Sequence, residues 1–244
     1  MDQRPSLARL TKVELRKMVD TRSGFWLQLA VLGLTILAVV ITVLAGHEED
    51  RTFLHLLSNA LVPAGTLLPV VGILLVSSEW SQRTALVSFA LVPNRSRLIS
   101  AKVLAGIVLS LIAVVVGVAF AALGTALGGA DLPHVWSLPL GLLGQDIVYV
   151  VTAMVIGIGF GAALQSSAPA IVLYFALPIA FGALGSIHAI EGLMEWLNIA
   201  QSTDSFTIEV FGGHAWAQVL VTLVLWMALP LAFGLWRITR RDLN

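Results

Sequence analysis

Long apolar runs separated by short polar segments dominate the chain. Six stretches reach the roughly 20 residues that a helix rising 1.5 Å per residue needs to cross a bilayer core about 30 Å thick. They cover residues 25–45, 60–77, 103–127, 138–164, 169–187 and 215–236. The runs are continuous rather than alternating with period two, which argues against a membrane β-barrel. Pro63, Gly65, Pro69, Pro178 and Pro230 fall inside them. Membrane helices tolerate such residues because neighbouring helices satisfy the freed backbone groups. The pattern predicts an all-α integral membrane protein, with one six-span domain over residues 25–244.

Two further segments have a different pattern. Within residues 1–24, positions 5–20 form an amphipathic helix with Leu7, Leu15, Met18 and Val19 on one side and Arg9, Lys12, Arg16 and Asp20 on the other. A basic helix of this kind lies in the headgroup layer or docks on a partner. Residues 188–213 are moderately apolar but hold four acids and no basic residue. They are too polar to cross and predict short outer helices, or a re-entrant element, before the last span.

Composition strengthens the membrane assignment, and charge orients it. Of 244 residues, 58% are hydrophobic and 11% charged, against about a quarter charged in soluble domains. The mean hydropathy is +0.93. Arg4, Arg9, Lys12, Arg16, Lys17 and Arg22 precede the first span; Arg83, Arg95, Arg97 and Lys102 follow the second; Arg237, Arg240 and Arg241 close the chain. These are thirteen of the fourteen basic residues, and an even number of spans puts them all on one side. The positive-inside rule then makes both termini and the loop 78–101 cytoplasmic. Glu48, Glu49, Asp50, Asp131, Glu191, Glu195, Asp204 and Glu209 fall on the outer side. The first apolar run begins only near Phe25, with no small-residue cleavage site after it, so no cleaved signal peptide is expected.

Little in the chain suggests catalysis. The three lysines, Lys12, Lys17 and Lys102, follow no glycine-rich phosphate loop, and no HExxH zinc motif occurs. Gly182–Ser186 does not fit the G-x-S-x-G elbow. With no cysteine, thiolate metal sites and disulfides are excluded. The chain is therefore expected to be no enzyme on its own, with no metal or cofactor of its own. His47, His55, His134, His188 and His214 fall in outer segments or at span ends, without the i, i+4 spacing of a helical metal pair.

Asp146 is the one acid inside a predicted span. It serves either as a cation or proton contact in a translocation path, or as a hydrogen-bonded structural carboxyl near the outer interface; the structural role is the favoured one. Trp26, Trp80, Trp136, Trp196, Trp216 and Trp236 read as interfacial anchors. Gly106, Gly117, Gly124 and Gly128, with Gly157, Gly159 and Gly161, favour close helix contacts.

The loop after the second span carries the most information. Its first part predicts a short amphipathic helix. Glu79 lies near the N-terminal end, where the helix dipole favours an acid, and Trp80, Leu86, Phe89 and Ala90 are exposed apolar residues. Pro93-Asn94 ends it, and Arg95, Arg97 and Lys102 lead into the third span. This loop resembles the cytoplasmic segment of permease subunits of type-2 (type V) ABC exporters. There an E-x-x-x-G-T-like stretch is followed by a proline, basic residues and a lysine opening the next span. The matching positions are Glu79, Thr84, Pro93, Arg95 and Lys102, with Arg83 standing where a glycine is usual. The layout of N-terminal helix, six spans, coupling loop and outer element is similar over nearly the whole chain.

The resemblance implies a membrane subunit that moves a hydrophobic or amphipathic small molecule or lipid outward by alternating access. Two permease subunits, identical or related, would sit on two cytoplasmic ABC ATPase subunits that hold the ATP and Mg2+, in a bacterial plasma membrane and with no role for nucleic acid. Glu79, Trp80, Arg83, Thr84, Leu86, Phe89, Pro93 and Arg95 would form the ATPase-coupling segment. Thr66, Leu67, Val70, Tyr174, Phe175, Leu177 and Phe181, on the second and fifth spans, would be candidates for the substrate path. The alternative is a stand-alone secondary transporter or channel using Asp146.

Overall fold

The first three helices begin where the sequence supplies a hydroxyl to cap them. Ser6 Oγ accepts from the Arg9 amide at 3.2 Å, Thr21 Oγ1 from Gly24 at 3.2 Å, and Thr52 Oγ1 from His55 at 3.4 Å. These caps open α1 (Leu7–Asp20), α2 (Arg22–Ala45) and α3 (Phe53–Ser81). A short 3₁₀ turn, Glu48–Arg51, joins α2 to α3. The computed structural model describes residues 5–82, 94–128, 134–138, 140–188, 191–197 and 211–240. It continues with α4 (Arg95–Gly128), α5 (Leu140–Leu164), α6 (Ser167–Gly185) and the short α7 (Glu191–Leu197). The last long helix is α8 (Gly213–Thr222), a π-helical turn (Leu223–Ala228) and α9 (Leu229–Arg240).

Six helices are long and apolar enough to cross a membrane: α2, α3, α4, α5, α6 and the combined Gly213–Ile238. The chain is an all-helical, multi-pass membrane protein. All six lie where the apolar runs predict them, but several are longer. α3 begins seven residues before the expected 60–77 and ends four after it, and α4 starts at Arg95 rather than 103. An apolar run marks only the part of a helix that meets hydrocarbon or core, while capped polar turns continue beyond it.

The core forms around α3 and α5, whose most apolar windows are 72% and 67% buried. They run side by side because glycines remove the side chains between them. A Cβ at Gly157 would lie 2.3 Å from the Pro69 carbonyl oxygen, and one at Gly161 would lie 2.8 Å from that of Ile73. Both pairs are spaced by four, so one face of α5 fits one face of α3. Gly234 of α9 meets Ala162 on another side of α5, where a Cβ on the glycine would lie 2.6 Å from that of Ala162. The closely approached glycines of the fourth span thus serve contacts within the chain. α2 and α4 close the other side of α3, while α6 remains mostly uncovered, with Ala170 its one buried residue.

Candidate functional site

Two places gather the residues singled out in the sequence: a buried cluster of charges at the basic end of the bundle, and an aromatic pocket within it. The cluster forms because α1 lays Leu10, Glu14 and Met18, spaced by four, against the bundle. Of the expected apolar face of Leu7, Leu15, Met18 and Val19, Met18 is buried and Leu7 and Leu15 pack against the core. Val19 is exposed, and an acid sits in the middle of the buried stripe. The acid is there because a lysine of another helix meets it. Lys102 Nζ donates to Glu14 Oε2 at 2.7 Å, to Glu79 Oε1 at 2.9 Å and to the Leu75 carbonyl at 3.2 Å. Lys17 Nζ joins the same acids, at 2.7 Å from Glu14 Oε1 and 2.9 Å from Glu79 Oε1.

Lys102 is 1% exposed and Glu14 2% exposed, so this network of two acids and two lysines is largely desolvated, with Lys17 at its open edge. Burial works against the Lys17 charge, but the Glu14 and Glu79 carboxylates beside it outweigh that cost and hold its ammonium above the ordinary lysine value.

The network corrects the reading of Glu79 as the start of a separate loop helix. α3 runs unbroken to Ser81, so Glu79 lies in its last turn, where the dipole disfavours an acid. Two lysines hold the carboxylate there instead. Trp80 is half-buried and packs against the core rather than standing exposed. Arg95, at the start of α4, donates from Nη1 to the Ile238 carbonyl, tying the loop's far stem to the last helix. Arg237 Nη1 similarly donates to the Ala163 carbonyl at 2.7 Å, at the end of α5. Arg83, Thr84, Leu86, Phe89 and Pro93 lie outside the described residues. So does most of the expected outer element 188–213, within which α7 is the described helix.

The pocket, about 300 Å³, lies between α3, α5, α6 and the π-helical turn. Thr66, Tyr174 and Phe175 line it, as do Gly65, Tyr149, Thr152, Phe160 and Trp226. Leu177 and Phe181 support its wall, with the Phe181 ring edge-on to Trp226 at 5.1 Å. Val70 is buried, and Leu67 faces a different cavity between α2 and α3. Trp226 stacks on Phe160 at 6.4 Å and donates its indole N–H to the Leu197 carbonyl at 2.8 Å. Sequence reasoning missed Trp226 because it sits mid-span, away from the interfacial tryptophans. A lone indole N–H inside an apolar run, which needs an acceptor, was the available signal.

Asp146 is fully buried on α5, and neither carboxylate oxygen has a hydrogen-bond partner among the described residues. The expected hydrogen-bonded carboxyl is therefore not what these residues form. Its neighbour Gln145 accepts from the Phe211 amide at 2.8 Å. At the acidic end Asp50 lies 3.6 Å from both His47 and His55. Among the described residues no group of three or more metal-ligating side chains comes together. No protein-family model matches the chain, and no curated protein matches it.

Proposed function

We propose that this chain is the membrane-spanning subunit of an ATP-driven exporter of the type-2 ABC kind. It would export a hydrophobic or amphipathic small molecule or lipid. The observation that carries the reading is the bridge between the two stems of the loop. Glu79 lies in the last turn of α3, Lys102 lies near the start of α4, and the ion pair between them at 2.9 Å also holds α1. A push on the intervening segment reaches two spans and the N-terminal helix as one body, as coupling to an external motor requires. Alternating access also needs two states that differ in their contacts with cargo and nucleotide.

In this reading Glu79 anchors the stem, and Arg83, Thr84, Leu86, Phe89 and Pro93 touch the ATPase. Both termini and residues 78–101 face the cytoplasm of a bacterial cell, and the permeases pair above two ATPase copies that bind ATP and Mg2+. The pocket of aromatic rings and two threonines supports an apolar or amphipathic cargo.

Purification of the tagged chain in mild detergent, followed by intact-mass measurement and an ATPase assay, tests the proposal. The expected result is a P-loop partner in equal copy number, with two of each chain. Arg83→Glu should keep the assembly but lower cargo-stimulated hydrolysis by about tenfold, the equivalent of roughly 1.4 kcal/mol in the barrier. A lone monomer or homodimer sinks the proposal. One observation favours the stand-alone transporter, namely the buried carboxyl of Asp146, which has no donor among the described residues. Under that reading Asp146→Asn abolishes transport by the chain alone.

A further inference from the structure

A cleft of about 340 Å³ opens beneath the turn from α1 to α2, against the last turns of α3. This is within the size range of small-molecule sites. Its α3 wall changes character along the helix axis. Val71, Leu74 and Leu75 form an apolar half, and the positions one turn on, Ser78, Glu79 and Gln82, form a polar half. The opposite wall is Lys17, Met18, Thr21, Ser23 and Gly24, just where α2 turns apolar at Phe25. The cleft therefore straddles the level at which the spans pass from hydrocarbon to headgroup surroundings.

The polar half is rich in hydrogen-bond donors that have no acceptor among the described residues. An ammonium carries three N–H groups. Lys102 uses all of its donors on Glu14, Glu79 and Leu75. Lys17 uses two, on Glu14 and Glu79, and keeps a third. Thr21 Oγ1 accepts from the Gly24 amide, which leaves its own hydrogen available. The side chains of Ser23, Ser78 and Gln82 make no hydrogen bond among the described residues. Glu79 is the one acid on the wall, and both lysines contact its Oε1. The two acids and two lysines of the cluster balance, so what the wall offers a ligand is unspent hydrogen-bond donors rather than net charge.

We propose that this cleft binds a membrane phospholipid, with the phosphate among Lys17, Thr21, Ser23 and Ser78 and the start of an acyl chain along Val71 and Leu74. The proposal does not depend on the transport reading. Such a lipid would brace the α1–α2 turn against α3.

Native mass spectrometry of the full chain tests it. The probes are phosphatidylglycerol, a diacylglycerol with the same acyl chains, and inorganic phosphate. The phospholipid should bind about tenfold more tightly than the diacylglycerol. Ser78→Leu and Ser23→Leu should each erase that preference while the melting temperature stays close to that of the parent. In the unsubstituted protein a photoactivatable phospholipid should label peptides spanning 17–24 and 71–82, a readout that survives misfolding of either variant. Equal binding of the two lipids, or labelling confined to other spans, overturns the proposal. Displacement by inorganic phosphate at the lipid's own concentration also overturns it, making the cleft a site for a free anion.

Discussion

Among the described residues, Lys102 is the largest side chain that the fold hides almost completely from solvent. Buried ion pairs add little net stability, because desolvation offsets their attraction, but removing one partner strands the other charge at a cost of about 3–5 kcal/mol. Glu79→Ala should therefore lower the melting temperature sharply, which makes it a poor probe of coupling. The double variant Glu79→Leu with Lys102→Met leaves Glu14 paired with Lys17 at 2.7 Å and should lose less than either single change. Thermal unfolding of the double variant and its two constituent single variants in detergent decides the matter, and strictly additive losses would refute a shared network. Glu79 and Lys102 were both visible in the sequence because they flank the loop. Glu14 was not, since an acid within a buried stripe reads as an irregularity until its partner, 88 residues away, is placed beside it.

At the scale of the helix, the contact between α3 and α5 rests on absent side chains. A side chain at Gly157 would collide with the backbone of Pro69, which cannot yield as a flexible side chain would. Overpacking a close-packed site costs about 1–3 kcal/mol when neighbours can shift, and Gly157→Leu should exceed that range. Gly144 provides a control on the same helix, because a Cβ there meets nothing within 4 Å. Gly144→Leu should retain parental yield and melting temperature while Gly157→Leu loses both. Equal tolerance of the two would show that α3 and α5 are not in intimate contact. The sequence marked these glycines as contact makers but could not say with what. Helix ends were harder to read than helix centres, since hydropathy falls at the last apolar residue while Ser, Glu and Trp carry α3 on to Ser81.

For the whole molecule, six apolar helices and a strong segregation of charge were legible from the order of residues alone. Their arrangement was not. α5 and α6 have similar mean hydropathies of 2.3 and 1.9, yet 67% of one window and 6% of the other is buried within the chain. Lipid and protein interior select the same side chains, so hydropathy cannot tell a central helix from a peripheral one. The pocket escaped for the same reason, because it depends on which faces meet. Orientation is open to a direct test that the lack of cysteine makes simple. Asn94→Cys and Ser137→Cys place single thiols at exposed positions at opposite ends of the bundle. A membrane-impermeant thiol reagent should label position 137 in intact cells and position 94 only in inverted vesicles; the reverse pattern would invert the assigned orientation. The charge cluster also bears on how the chain is made. Glu14, Lys17 and Glu79 all precede Lys102, so when the ribosome delivers that lysine both counter-charges already exist and wait at the same bilayer surface. The third span can then enter the lipid with its cation already answered, and the chain is built in the order that its most costly side chain requires.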